Sequence, residues 1–445
     1  MAGAGAAVAA AAERHAAPLS GIGIGWRPEI AGVIADLPGL GFCEVVAESV
    51  ARPAAPPRGV VELRARGVAV VPHGVRLGLG DADGVAPGRV AHLAACAREL
   101  GAPLVSEHVA FVRAGGREAG HLLPLPRTRE ALDVLTANVR RTTAELDVPL
   151  ALEPIAALLD WPDDEYTEGD FLTELLERTG TLLLLDVANV YANARNRGLD
   201  PVAVLDRMPL HRVAYVHVAG GSVHPDDPSG LYHDTHLDPV PSPVLDLLQE
   251  VRERGAAPAV MLERDGRYPP AAELRTEVAA LAPPGSPRIG TPGPPAATSR
   301  TSARGVRTAR PLPGGQADLV GALLGTGPDP AGFDPVRLDA TRRALRRKRA
   351  GEAARHWPLL AAGLGPDWVP FAARVLGGRP VAGGLRDGWD VARAARERGR
   401  LSDGAARELT ERERDLAYDG TSDPRPRPLG GFRRSRARLR RYVGR

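Results

Sequence analysis

Residues 181–189 read Thr181-Leu182-Leu183-Leu184-Leu185-Asp186-Val187-Ala188-Asn189: four leucines, an acid, then the opening of a new run. An apolar stretch this short, stopping at a carboxylate, predicts a strand buried on both faces, as in a parallel sheet. The same signature recurs along the chain. Short apolar runs lie at 21–26, 42–47, 68–72, 103–106, 149–152, 182–185, 213–216 and 259–262. Between most of them, stretches such as Thr128 to Leu146, Thr167 to Thr179 and Pro241 to Arg254 return apolar residues every three or four positions, the period of a helix. Eight strands alternating with helices over roughly 260 residues predict a (β/α)8 TIM barrel. An open doubly wound sheet would carry a phosphate-binding glycine fingerprint after its first strand. Here Gly21, Gly23 and Gly25 are followed by Trp26 and Arg27, which is neither that fingerprint nor a Walker sequence.

What ends each strand carries the chemistry. His73 follows the third run, Glu107 and His108 the fourth, Glu153 the fifth, Asp186 the sixth, His217 the seventh and Glu263 the eighth. In a barrel those ends converge on one mouth. Clustered carboxylates repel and buried charge needs compensation, so the array calls for cations. Asn189, Asp234 and His236 add donors, and the total exceeds what one ion can use, which predicts two or three metals. No cysteine stands at these ends, so the ions are borderline to hard: iron, manganese or zinc.

The remaining composition sets limits. The chain has 445 residues, 44% hydrophobic and 25% charged, as in a soluble globular protein. The formal charge of +3 is small, and much of the excess lies in the last dozen residues, so global attraction to nucleic acid is not indicated. No run of eighteen apolar residues occurs, which excludes a helical membrane span. Cys43 and Cys96 make neither a disulfide scaffold nor a four-thiolate zinc site, and fit a reducing cytoplasm. Residues 1–17, rich in alanine, read as a disordered leader. Residues 18–282 form the barrel, 283–316 a linker of Pro, Gly, Ser, Thr and Arg, and 317–445 a mostly helical accessory domain with a basic tail. Helices are expected in that domain at 318–324, 335–364, 368–376, 388–399 and 401–416, with no catalytic constellation and with His356 structural.

Seven ordered motifs carry a resemblance: 21–29 (Gly-Ile-Gly-Ile-Gly-Trp-Arg-Pro-Glu), 72–75 (Pro-His-Gly-Val), 106–111 (Ser-Glu-His-Val-Ala-Phe), 186–194 (Asp-Val-Ala-Asn-Val-Tyr-Ala-Asn-Ala), 217–221 (His-Val-Ala-Gly-Gly), 234–236 (Asp-Thr-His) and 262–265 (Leu-Glu-Arg-Asp). Over residues 20 to 275 the chain resembles the multinuclear non-haem iron-dependent oxidases, the group containing the iron enzyme of methanobactin biosynthesis. The resemblance implies two or three irons of mixed ferrous and ferric state, O2 as co-substrate, and modification of a residue, with cysteine foremost, in a ribosomally synthesised precursor peptide. It also implies a partner protein that presents the peptide, a role the C-terminal domain could fill. Carried over residue by residue, His73, His108, Glu153, Asp186, Asn189, His217, Asp234, His236 and Glu263 become ligands. Arg27, Glu107 and Asp238 are the candidate catalytic residues around them, with Arg27 steering a carboxylate or peptide carbonyl or else forming a salt bridge to Glu29 or another neighbour. Two positions depart from the family pattern: Pro154 stands where many relatives have asparagine, and Asp238 where many have a second histidine.

Two rivals remain open at this stage. A zinc or manganese hydrolase or isomerase of the endonuclease IV or xylose isomerase kind uses the same ligand types. Acidic residues at Asp160, Asp163, Asp164, Glu165, Asp226 and Asp227 predict loops that repel phosphate. A catalytically silent scaffold is the other, and the intact ligand set argues against it.

Overall fold

The computed structural model describes residues 19–283 and 311–427. The expected leader, the body of the linker and the arginine-rich tail lie outside the described residues.

Eight parallel strands close a barrel: β1 (Gly21–Gly25), β2 (Leu40–Val46), β3 (Ala69–Gly74), β4 (Val105–His108), β5 (Leu150–Glu153), β6 (Leu182–Asp186), β7 (Val213–Val218) and β8 (Ala259–Leu262). Each pairs with its sequence neighbours, and β1 closes the ring against β8. A helix follows every strand: α1 (Ala31–Ala35), α2 (Arg58–Ala65), α3 (Pro87–Leu100), α4 (Arg129–Thr143), α5 (Glu168–Thr179), α6 (Val187–Arg197), α7 (Ser242–Glu253) and α8 (Ala271–Ala279). The fold is a TIM barrel. Local signals place the helix starts: Thr128 caps α4 through Ala131 N–H, Thr167 caps α5 through Asp170 N–H, and Asp186 caps α6 through the amides of Ala188 and Asn189.

Inside the barrel, side chains two residues apart along a strand share a face, so the interior fills in layers. The lower layer is apolar and includes Phe42, Val71, Leu104, Ala151, Leu184, Tyr215 and Met261. Phe42 and Tyr215 meet edge to face with ring centroids 5.8 Å apart, a geometry that adds about 0.5–1.5 kcal/mol beyond area burial. Gly23 on β1 makes room for this layer, since a Cβ there would lie 2.6 Å from the Phe42 ring.

The described residues divide into two compact units. The barrel unit takes in Gln316 and Ala331–Arg337, and the second unit takes in Gly115–His121 together with Ala317–Pro330 and Leu338 onward. The boundary is therefore not a single cut after a linker. Helix α9 (Leu312–Leu324) starts inside the stretch expected to be linker. Its second residue is Pro313, which lacks only an N–H that a first helical turn leaves unpaired anyway. Gln316 is fully buried, donating to Gly80 O at 2.8 Å and accepting from Ala82 N–H at 3.0 Å, within the barrel unit. Two short strands, Phe111–Ala114 and Arg117–Leu123, also escaped the sequence reading.

The second unit is helical, with α10 (Pro335–His356) from Leu338 onward, α11 (Pro358–Leu364), α12 (Trp368–Leu376), α13 (Gly384–Glu397) and α14 (Asp403–Asp415). The single helix expected over 335–364 is two, because Pro358 cannot donate to the preceding turn and Trp357 before it leaves the helical region (φ −129°, ψ 61°). Trp357 and Trp389 form its core with centroids 5.6 Å apart. Its buried carboxylates are matched: Arg349 grips Asp387 at 2.7 Å through two nitrogens, and Glu408 accepts from Leu360 N–H. Among the described residues no helix is long and apolar enough to cross a membrane.

Candidate metal centre

Two residues beyond the apolar layer, the next interior positions are Glu44, His73, Ser106, Glu153, Asp186, His217 and Glu263, each at most 6% exposed. His108 stands two residues above Ser106 and pairs in register with Glu153, as His217 does with Asp186. Strand alternation thus lifts one polar ring onto an apolar floor.

The ring holds overlapping groups of donors whose atoms lie within 4.8 Å of one another: His73, His108 and Glu153; Glu153, Asp186, His217 and Glu263; Asp186, Asp234 and His236; and His236, Glu263 and Asp265. Glu153 bridges the first two. Its Oε2 faces His73 Nε2 at 3.6 Å and His108 Nε2 at 3.3 Å, while Oε1 faces His217 Nδ1 at 3.5 Å. Glu263 Oε2 lies 3.0 Å from His217 Nδ1 and 3.4 Å from His236 Nδ1. His236 Nε2 lies 2.6 Å from Asp234 Oδ2.

Several of these atoms are buried without a hydrogen bond: Glu153 Oε2, Asp186 Oδ2, Asn189 Oδ1, His217 Nδ1 and Asp234 Oδ1. Such a group costs about 1–3 kcal/mol unless something else satisfies it, and carboxylate and amide oxygens buried in this way suit cations. The local structure aims them. Asp186 uses Oδ1 to cap α6, leaving Oδ2 for the cavity, and Asn189 donates its Nδ2 to Pro154 O at 3.1 Å, which turns Oδ1 inward. Pro154, despite departing from the family pattern, supplies that contact through its carbonyl.

Charge is strongly coupled. Burial works against the His108 cation, but Glu153 and Glu107 outweigh it and push the pKa up to about 9. Burial, with Asp234 and Glu153 nearby, pushes Asp186 up to about 7. Burial also opposes charge on His217 and Glu263, yet their mutual attraction and neighbours hold His217 well above, and Glu263 well below, the usual values.

Eight of the nine expected ligands stand in these four groups, and Asn189, whose Oδ1 is buried without a hydrogen bond, lies in the helix turn that Asp186 caps. The three expected catalytic residues are each engaged by neighbouring side chains or amides. Arg27 binds Asp265 through Nε at 3.0 Å and through NH2, and lies 3.6 Å from Glu263 Oε1, so it forms a salt bridge, with Asp265 rather than Glu29. Glu107 accepts from the amides of Leu77 and His108 and meets His108 Nδ1 at 3.4 Å, which orients that ring from behind. Asp238 accepts from Ser222 and Thr235 and pairs with Arg267, tying down the loop after β7. The acidic loops are also less free than expected: Asp160 pairs with Arg197, Asp164 with Arg127 and Asp227 with His233.

Sequence reasoning missed Glu44, Ser106, Tyr215 and Asp265. Counting two onward from Phe42 would have found Glu44, an acid in the middle of an apolar strand. A cavity of about 240 Å³ opens at the same strand ends, lined by Glu48, Gly74, Arg76, Leu77, His92 and Glu107 among others.

Residues 21–283 match the model of a family described as RiPP precursor modification enzyme MbnB/TglH/ChrH, and residues 314–397 match the SCO6045-like C-terminal domain. A UPF0276 protein of Streptomyces avermitilis is 43% identical over 94% of this chain and 96% of its own. A UPF0276 protein of Caulobacter vibrioides is 34% identical over 59% of this chain and 92% of its own, leaving little of that protein over for a second unit. Among solved structures, endonuclease IV from Thermus thermophilus aligns with a TM-score of 0.40 at 20% identity, over 58% of this chain and 98% of its own.

Proposed function

The chain belongs to the family of RiPP precursor modification enzymes MbnB/TglH/ChrH, and from that premise we propose that it is a multinuclear non-haem iron oxidase that uses O2 to modify a cysteine of a ribosomally synthesised peptide. One observation carries the metal half of this reading: overlapping donor groups that share Glu153, Asp186, Glu263 and His236, with buried lone-pair atoms that lack hydrogen bonds. His73, His108, Glu153, Asp186, Asn189, His217, Asp234, His236 and Glu263 would hold two or three irons. Bound there, iron would supply the redox chemistry that O2 requires and Lewis acidity toward a substrate thiol.

The chain's own residues do the rest. Shared carboxylates keep neighbouring positions in one rigid cavity, so thiol and O2 meet in a fixed orientation instead of by chance encounter. Glu107 and the Gly74 carbonyl, 3.1 Å from His108 Nδ1, hold that ring with Nε2 inward. Arg27 balances Glu263 and Asp265 at the rim. The adjoining cavity offers room for a peptide side chain. Neither protein cysteine competes with the substrate, since both are buried. The second unit is proposed to present the peptide, because none of the donor groups among the described residues lies in it.

The test is to load the purified protein with iron, add the precursor peptide encoded beside it, and follow O2 uptake and peptide mass. Peptide-dependent uptake with a changed mass, lost in a Cys→Ser peptide, supports the reading. Equal modification of both peptides keeps the oxidase and discards cysteine. Stoichiometric zinc with activity indifferent to iron turns the reading to the hydrolase or isomerase.

A further inference from the structure

Across the polar ring and through Tyr215 of the layer beneath, one chain of hydrogen bonds joins two histidines that belong to different groups. His73 Nδ1 lies 2.8 Å from Ser106 Oγ, Ser106 Oγ 2.7 Å from the Tyr215 hydroxyl, that hydroxyl 2.6 Å from Glu44 Oε2, and the same Oε2 2.9 Å from His217 Nε2. All five residues are at most 1% exposed. The direction of donation follows from counting hydrogens. Glu44 Oε2 faces two donors and can only accept from both, which uses the single Tyr215 proton. Tyr215 oxygen then accepts from Ser106 O–H, and Ser106 oxygen accepts from His73 Nδ1–H. With each ring neutral, as a metal ligand must be, the outcome is one tautomer at each end: His73 carries its lone pair on Nε2, facing Glu153, and His217 on Nδ1, facing Glu153 and Glu263.

We infer that Glu44 is a positioning residue for the whole centre, a single carboxylate that sets the ring orientation and tautomer of a histidine in each of two adjacent metal positions. The inference rests on the metal-centre reading above. Packing gives no reason for an acid there. Among the described residues Glu44 has no Lys or Arg within ion-pairing distance, its Oε1 lacks a hydrogen bond, and an aliphatic side chain would continue the layer begun by Phe42 without a buried charge. Partners behind metal-binding imidazoles typically change metal affinity roughly 10–100-fold when removed.

The arrangement separates two effects in one experiment. Zinc-loaded wild type, Glu44→Leu, Glu44→Gln, Tyr215→Phe and Ser106→Ala are dialysed against graded chelator, and metal content is read together with histidine ring 15N resonances. Expected results are a loss of affinity of roughly 10–100-fold at both positions in Glu44→Leu, with shifted His73 and His217 signals. Tyr215→Phe and Ser106→Ala should disturb His73 alone, because Glu44 still accepts from His217. Glu44→Gln, which keeps an acceptor oxygen, should restore most of both. Unchanged metal content and unchanged ring signals in Glu44→Leu would overturn the proposal. If that variant fails to fold, unchanged His73 signals in both Tyr215→Phe and Ser106→Ala overturn it equally. A wild type that takes up neither zinc, iron nor manganese removes the metal-centre reading and this one with it, whereas normal wild-type loading with indifferent variants removes the role of Glu44 only.

Discussion

The two units bury charge in opposite ways. In the second, Asp387 is held by two nitrogens of Arg349, and Glu408 closes the start of α11; the buried atoms there without hydrogen bonds are N–H groups, such as those of Arg386 Nε and Trp389 Nε1. In the barrel, the corresponding atoms include carboxylate, amide and imidazole lone pairs, gathered at one end of the strands. Matched charge stabilises a fold locally and asks for nothing further. Unmatched acceptors of like sign, packed beside each other, are unstable until a cation joins them. The contrast separates a region built to hold its shape from one built to hold a ligand.

The sharpest way to break that contrast is to remove its central acceptor. Glu153→Ala deletes the one side chain that faces three histidines. Iron content measured by elemental analysis should drop by at least one ion per chain and peptide oxidation should fall below detection, while circular dichroism stays close to wild type, since the apolar layer beneath is untouched. Full metal content would place the site elsewhere.

Trp357→Ala attacks the other unit. The buried indole meets Trp389 edge to face, donates to Leu385 O at 2.9 Å and lies under Arg412, so truncation should cost about 3–5 kcal/mol. Calorimetry should show the second unit melting earlier with iron content unchanged, and the KM for peptide should rise if this unit presents the substrate. An unaltered KM with a melted second unit would refute the presenting role.

Gly388→Ala is a finer probe of the same core. Alanine normally gains about 1 kcal/mol over glycine inside a helix, but a Cβ here would come 2.0 Å from Trp357 Cδ1, and overpacking costs about 1–3 kcal/mol. A net loss of stability by urea denaturation is expected; a gain would mean that the core is looser than described.

The smallest effect concerns the cysteines. Burial, reinforced by Glu48, pushes the Cys96 thiol up to about 11, and burial raises Cys43 as well. Thiolate, the reactive form, is therefore scarce until the pH nears that value, and neither residue should be alkylated by iodoacetamide at neutral pH in the folded protein. Rapid labelling, read by mass spectrometry, would contradict the burial of both.

Much of the barrel was legible in the chain because a strand buried on both faces must be apolar throughout. Runs such as Leu182–Leu185 have no other economical home, and the acids and histidines that end them stand out by contrast. Hidden from that reading were residues whose role depends on partners far away in sequence. Arg27 and Asp265 are 238 positions apart, and Glu44 and Tyr215 are 171 apart. The short strands within 111–123 and the early start of α9 were missed for a related reason: short or proline-bearing segments take their conformation from what they pack against, as Gln316 does against Gly80 and Ala82.

The sequence by itself determined the architecture and most of the inventory of donors, Asp265 and Glu44 excepted, since strand periodicity is local and places every second residue of a barrel strand inside. Tertiary structure alone decided which donors face one another and which are already engaged. It bound Arg27, Glu107 and Asp238 to neighbours, joined the four donor groups through Glu153, Asp186, Glu263 and His236, and linked Glu44 to two histidines. The physical reason is that hydrogen bonds and ion pairs act over about 3–4 Å, and only closure of the ring brings residues from eight strands within that distance.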